Sequence, residues 1–272
     1  VKFLDVNKTT GNIEYETVKK NISKKTKAVM VVHMNGNSCE MKKIKAICDK
    51  KKISLIEDCA HGLGTFYQGR HVGNFGVAGS FSFYPTKQIT TGEGGVVITN
   101  NKKIFKKIKK LKAFGIDKDI KDRKLPGKYD VKMLGFNYRM TDIHAALGLS
   151  QLQRLDEIVA ERNRQLQRYQ DLLGDMPLQL LRVPDDVLSS VHLAVIRLQQ
   201  ATAEQHRKIF EGLRLAGIGV QLHYSPVHLQ PYYRKLGFVE GQFPKAEAYA
   251  ESAFSLPLFP SLTEADQVLV SM

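Results

Sequence analysis

Between residues 28 and 112, short β-branched apolar runs alternate with stretches of helical spacing, and this alternation restricts the chain more than any other feature. Residues 28–33, 53–57, 79–83 and 95–99 read as strands, the first of them buried, while 40–51 and 100–112 read as amphipathic helices. The order strand, helix, strand demands a crossover connection, and therefore a largely parallel sheet with helices on its faces. The fold class is α/β.

The second half has a different rhythm. Thr141 is placed to cap one long helix over 141–173, with Ile143, Leu147, Leu152, Leu155, Ile158 and Val159 apolar and an arginine-rich continuation, and such a helix can bridge two domains. Beyond Pro177, a strand at 192–197, a helix at 202–216, a strand at 219–224 and a helix at 244–254 form a small second α/β unit. Thr263 and Asp266 read as the capping box of a last helix. These elements predict a large domain over 1–173 and a small one over 174–272. The polar stretch 116–134, with Pro126 and Gly127, is too long for a simple connector and is expected to be functional or mobile.

Composition enters through what it excludes. Of the 272 residues 43% are hydrophobic, enough for a substantial core, yet no apolar run approaches the ~18 residues of a membrane span. Cys39, Cys48 and Cys59 are an odd number without a C-x-x-C pair, so neither a zinc site nor a disulfide framework is predicted, and a reducing, cytoplasmic setting is. The net charge of +14 is unevenly spread: up to residue 147 there are 26 Lys and 3 Arg against 13 acidic residues, and from 148 onward 3 Lys and 9 Arg against 14. The lysine pairs lack interleaved aromatics, which predicts a solvated surface and no nucleic-acid groove. Glutamine changes at the same place, with two residues before Gly148 and 13 after it. A chimeric join near Gly148 or a domain boundary with different surface demands would each produce this. The opening Val1-Lys2-Phe3-Leu4-Asp5 is strand-like, carries no signal-peptide pattern, and is expected to lie inside a domain.

Three segments carry chemistry. Leu55-Ile56-Glu57-Asp58-Cys59-Ala60-His61-Gly62 is an apolar strand that ends in two carboxylates, and ligands of open α/β sheets bind outside such strand ends. Read alone, Asp58 is as well explained as a turn or helix cap. Ser80-Phe81-Ser82-Phe83-Tyr84-Pro85-Thr86-Lys87 leads a strand into a turn; a lysine desolvated there has a lowered pKa and becomes a nucleophile toward an aldehyde. Thr90-Thr91-Gly92-Glu93-Gly94-Gly95 is a glycine-rich turn without the lysine and hydroxyl that would close a Walker loop.

In their order and spacing these segments, with Gly135-Phe136-Asn137-Tyr138-Arg139-Met140 and His223-Tyr224-Ser225-Pro226-Val227-His228, strongly resemble the pyridoxal-phosphate-dependent sugar aminotransferases of the DegT/DnrJ/EryC1/StrS family. The resemblance runs through nearly the whole chain. It implies the type I fold of pyridoxal-phosphate transferases, with a large, mostly parallel sheet domain and a small C-terminal one. From Ser190-Val191-His192-Leu193 to Ser255-Leu256-Pro257-Leu258 the chain is most similar to the branch that aminates C4 of a UDP-linked 4-keto-6-deoxy sugar on the way to pseudaminic acid. His61, where the wider family has glutamine, points the same way, whereas Tyr84-Pro85-Thr86 is the general family form.

Carried over by that resemblance, Lys87 is expected to bond the cofactor aldehyde and then to move the substrate proton, and Asp58 to pair with the pyridine nitrogen. His61 is expected against the ring and Ser82 on the phosphate, with Asn137 reaching the phosphate from the other subunit of a homodimer. His33, Glu93, His223 and Tyr224 are candidates for the sugar pocket. The implied partners are a nucleotide sugar and an amino-acid donor, glutamate first. Lys87 argues against the related dehydratases, which carry histidine there, and the intact Asp58, Ser82 and Lys87 argue against a non-catalytic binding protein of the same fold. Family members also carry an upstream segment with a Gly-Thr turn for the phosphate and a ring-stacking aromatic. Neither lies in this sequence, which predicts an incomplete cofactor site and marginal stability.

Overall fold

The computed structural model describes residues 1–117 and 122–272. Its first sheet runs in the order β1 (Ala28–Val32), β2 (Ser54–Asp58), β5 (Ala78–Ser82), β6 (Gly95–Ile98). The crossover from β1 to β2 passes through α2 (Met41–Lys50), and both β1/β2 and β2/β5 are parallel, with Val32 opposite Asp58 and Asp58 opposite Ser80. Asp58 and Ser82 therefore end their strands at the same edge. The connection 83–94 holds no helix, and β6 comes back antiparallel, with Gly95 opposite Ser82.

One face of this sheet is packed. Met41, Ile44 and Cys48 line one side of α2 and meet Val29, Val31, Leu55 and Val18, the last from the unforeseen helix α1 (Tyr15–Asn21). Burying each such side chain contributes roughly 1.5–3 kcal/mol. The other face is open: Met30 is 60% exposed, and Val32 and Val97, which the register places on the same face, are exposed too. The expectation of a fully buried strand at 28–33 is corrected to a half-buried one, because α1 and α2 cover a single face.

A hairpin of β3 (Phe66–Tyr67) and β4 (Arg70–His71) leaves the first sheet and takes its third strand, β8 (Val187–Leu188), from the far half of the chain. This pairing carries residues 189–192 beneath the turn that follows β2. The opening residues form no strand. Val6 makes a single bridge to Ile13, and the Asp5 carboxylate accepts from the backbone N–H of Lys245 and Ala246, capping α8 (Pro244–Ser252).

The single helix expected over 141–173 is two: α4 (Asp142–Leu152), capped by Thr141, and α5 (Leu155–Leu173). The break falls at Arg154, where the backbone leaves helical geometry. Each helix has its own anchor. Gly148 of α4 lies against Thr91, and α5 starts on the turn at Gly64, whose missing Cβ leaves room for Val159 and Leu155. The change of composition at Gly148 thus falls inside an element.

Leu166, Tyr169 and Leu173 of α5 enter a second core with Ile196 and Phe254. There β10 (Ala253–Leu256), β9 (Ala194–Leu198) and β7 (Leu178–Leu180) form an antiparallel sheet, flanked by α6 (Ala203–Leu215) and α9 (Glu264–Ser271). The helix predicted over 244–254 stops at Ser252. Ala253–Leu256 has no helix breaker, but all four residues are buried and pair with β9, and that pairing decides the conformation. The strand expected over 219–224 is reduced to one bridge between Gln221 and Ser255. The capping box of α9 is as read from Thr263 with Asp266, and α6 has another, between Thr202 and Gln205, that was not singled out. Part of the long polar stretch, 118–121, lies outside the described residues; what flanks it is joined by a bridge between Ile116 and Val131. Among the described residues no helix is long and apolar enough to cross a membrane.

Candidate active site

The site forms where β2 and β5 end. After Asp58 the chain turns through Gly62 to Thr65, and one Asp58 oxygen accepts from the N–H of Ala60 at 2.9 Å. After Ser82 a second turn, closed by Lys87 N–H to the Tyr84 carbonyl, brings Lys87 to the same edge, with Gln88 and Ile89 buried behind it. Lys87 is half-buried. Burial pulls its amine below the ordinary lysine value, and the nearby Asp58 carboxylate opposes that fall. The Ser82 Oγ, half-buried, accepts from Tyr84 N–H at 3.2 Å, which leaves its own proton to donate.

His61 is buried beside Lys87. Its Nδ1 accepts the N–H of Asn35, so the neutral ring carries its proton on Nε2. Burial, with Lys87 and His223 nearby, holds its pKa down at about 3. Its carbonyl accepts from Gln88 Nε2 at 2.7 Å and from Ser190 Oγ at 3.0 Å. Ser190 reaches it because of the β3/β8 pairing, and because Gly36, at φ +86°, leaves room: a Cβ there would lie 2.8 Å from the Val191 nitrogen. The His61 ring stacks toward Tyr224, with centroids 6.5 Å apart, and Tyr224 meets His223 edge to face. His223 Nδ1 is 2.8 Å from Ser255 Oγ, and burial with Lys87 nearby lowers its pKa.

The structure thus brings together Lys87, Asp58, His61, His223 and Tyr224, with Ser82 at the same strand edge. Three candidates lie elsewhere. His33 has no exposed surface: Nδ1 accepts from Cys39 N–H and Nε2 donates to Glu57, so neither nitrogen is open to a sugar, and the pocket expectation for His33 is corrected accordingly. Glu93 is exposed in the glycine turn, where its carbonyl accepts from Thr91. Asn137 is exposed beside the stacked Phe136 and Tyr138, and its side-chain oxygen accepts from Arg139.

Several residues that build the site were not singled out in the sequence. Asn35 orients His61, although an Asn-Gly pair is a visible turn signal. Gln88 follows the motif lysine directly. His192 packs on His61 with ring centroids 4.2 Å apart. Glu57 organises the floor: its two oxygens accept from the N–H groups of Gly73, Phe75 and Gly76 and from His33. Burial would raise this carboxyl, but His33 and the backbone donors outweigh it and keep it below the usual range. His33, Glu57 and Cys59 place three ligand-type atoms within 4.8 Å of one another. A metal would find no partner there, since the carboxylate and both imidazole nitrogens are already bonded and burial keeps the Cys59 thiol protonated.

Comparison with known proteins gives the same picture from outside. An uncharacterized protein of Methanocaldococcus jannaschii is 38% identical over 98% of this chain and 70% of its own length. Helicobacter pylori PseC, an aminotransferase involved in the biosynthesis of pseudoaminic acid, superposes with a TM-score of 0.92 at 32% identity, over 99% of this chain and 71% of that one. Spr1654 of Streptococcus pneumoniae, a candidate sugar aminotransferase, superposes in its PLP-form with a TM-score of 0.90 at 28% identity, over 98% of this chain and 72% of its own. Its PMP-form gives 0.93. The family's sequence profile matches residues 1–272, and with a lysine, a carboxylate and a neutral imidazole meeting at one sheet edge, the chain belongs to the DegT/DnrJ/EryC1/StrS aminotransferase family.

Proposed function

We propose that the protein is a pyridoxal-phosphate-dependent aminotransferase that moves an amino group from an amino acid, glutamate first, to a nucleotide-linked 4-keto-6-deoxy sugar in cell-surface glycan biosynthesis. The observation that carries this reading is Lys87: a half-buried amine with a lowered pKa, facing Asp58, is the reactive partner an aldehyde cofactor needs. The chemistry of the donor set fits that group, with a carboxylate for a ring nitrogen, a flat neutral imidazole for a ring face and the Ser82 hydroxyl for a phosphate. When bound, the cofactor supplies an electron sink for the bond broken at the donor carbon.

The chain's own residues do the rest. Lys87 takes and returns the proton at the substrate carbon, a task suited to an amine whose pKa burial lowers. Asp58 keeps a ring nitrogen protonated by its negative charge. His61, neutral by burial, packs without placing a second cation beside Lys87. His223 and Tyr224 line the side where a sugar would lie.

The same reading includes a second copy of the chain. Leu134, Phe136, Tyr138, Ile143 and Leu149 expose a run of apolar side chains around Asn137. A homodimer would cover them and carry Asn137 to the partner's phosphate site. The division at 173/174 and a cytoplasmic location belong to the proposal as well, although Leu166, Tyr169 and Leu173 pack in the second core and Val187 in the first.

Borohydride reduction after incubation with pyridoxal phosphate, followed by peptide mapping, should place the label on Lys87. A label on any other lysine overturns the assignment. Lys87→Arg is expected to lower turnover by roughly 10²–10⁴-fold while leaving the fold intact.

A further inference from the structure

His192 is a buried residue whose ring has no evident structural task. It is 3% exposed, and among the described residues its Nδ1 finds no hydrogen-bond partner, which is rare for a buried polar atom. Its surroundings are instead arranged around a neighbour. The ring lies against His61 at 4.2 Å between centroids, tilted by 38°, on a histidine already stacked toward Tyr224. The backbone of Asn35 joins the two histidines: its N–H donates to His61 Nδ1, and its carbonyl accepts the N–H of His192. Asn35 manages both in the left-handed region, at φ +57°, which asparagine tolerates better than most residues.

The His192 backbone is fixed from the other side as well. Arg162 of α5, 4% exposed, donates through one guanidinium nitrogen to the carbonyls of Val191 and His192, each at 3.2 Å. A guanidinium bonded to carbonyls brings an uncancelled positive charge close to the imidazole. The charged or titratable groups that act on His192 are His61, Lys87, Arg162 and His223, and each of them disfavours a second proton on its ring, as does its burial. His61 faces Lys87 and His223 in the same way. Two imidazoles in van der Waals contact, next to a lysine, therefore stay neutral together.

We infer that His192 is a positioning residue for the active site: with Asn35 it holds the His61 ring in one plane and in the Nε2–H form, so that a flat, uncharged surface stands beside Lys87. His192 touches neither cofactor nor substrate in this arrangement and works through His61. The inference rests on the proposed function only for the importance of that surface; the arrangement of the two rings does not depend on it.

The test uses the full chain with 15N-labelled histidine, without cofactor, so that it reads the imidazoles themselves. In the wild type, the His61 ring should show a single Nε2–H tautomer and stay neutral to below about pH 4. In His192→Gln the tautomers should mix and the His61 midpoint should rise by at least one pH unit, while His192→Phe, which restores a ring face, should return both to the wild-type pattern. Should His192→Gln not fold, His192→Leu fills a similar volume without a ring and reads the same midpoint. An unchanged tautomer and midpoint in a folded ringless variant overturns the inference. Titration with pyridoxal phosphate, followed by absorbance, then separates the two proposals: a perturbed His61 with at least tenfold weaker binding supports both. A perturbed His61 with unaltered binding upholds the positioning role and removes His61 from the cofactor site.

Discussion

Helices α4 and α5 are consecutive in the chain and opposite in what they hide. Every position of α4 is at least partly exposed, although Ile143, Leu147, Leu149 and Leu152 are apolar; Ile143 is 81% exposed. Helix α5 buries Arg162 and Gln165 beside Leu166, Tyr169 and Leu173. Hydropathy alone would have placed them the other way round. The buried polar side chains of α5 are fastened to carbonyls of distant loops: Arg162 to residues 191, 192 and 258, and Gln165 to Phe259 and Leu262. They serve as ties where the chain must come back to the site, whereas the apolar side chains of α4 stay at the surface of the single chain.

The contrast between polar inside and apolar outside can be attacked from both ends. The largest effect is expected at Glu57, an interior tie of the same kind. Glu57→Gln replaces an acceptor-only group by one that cannot satisfy three backbone N–H groups and His33, and urea unfolding should register a loss of about 3–5 kcal/mol. The acid limb sharpens the point. The folded pKa of Glu57 is depressed, so its contribution is complete above the unfolded value of about 4.3 and drains away as pH falls through the lower folded value; the Gln variant should lack that limb.

Arg162→Leu comes next, with an expected loss of about 2–3 kcal/mol. Three carbonyls lose a charged donor, partly offset because a guanidinium no longer has to be buried, at a site where burial lowers its pKa to about 10. A folded variant as stable as wild type would mean that the inside ties are ornamental. The smallest change in single-chain stability, within about 0.5 kcal/mol, is expected for Ile143→Asp on α4. Its effect should show in sedimentation instead, as a shift from dimer to monomer. A dimer that persists in this variant would locate the second copy elsewhere.

The sequence made the first sheet legible because its signals are local. The strands at 28–33, 53–57, 79–83 and 95–99 were placed within about a residue or two, since β-branched alternation survives any tertiary context. Capping by Thr141 and Thr263 was local too. The break at Arg154 was not, because it follows from where Gly148 and Gly64 find their neighbours. The extended course of Ala253–Leu256 likewise exists only because β9 lies beside it. Lys87, Asp58 and His61 stood out as candidates because they sit in or beside strand ends, and their proposed roles came from the family resemblance. The role of His33 could not, since nothing along the chain announces that Glu57 and Cys39 will take both its nitrogens. Asn35, Gln88 and Ser190 converge on His61 from three separate segments, and no spacing rule connects them.

The pairing of β3 with β8 has a consequence in time. Thr65 and Ser190 are 125 positions apart, and their hydrogen bond, like those of Ser190 and His192 to His61 and Asn35, waits until the chain has brought its far half back. Contacts at such separation form slowly, because loop-closure entropy must be met before any of them rewards the search. A nascent chain that has released residues 54–98 from the ribosome already holds Asp58, His61 and Lys87, and Asn35 for the His61 Nδ1, but not yet the His192 ring that packs on His61. Lys87 is thus made early and part of its setting late.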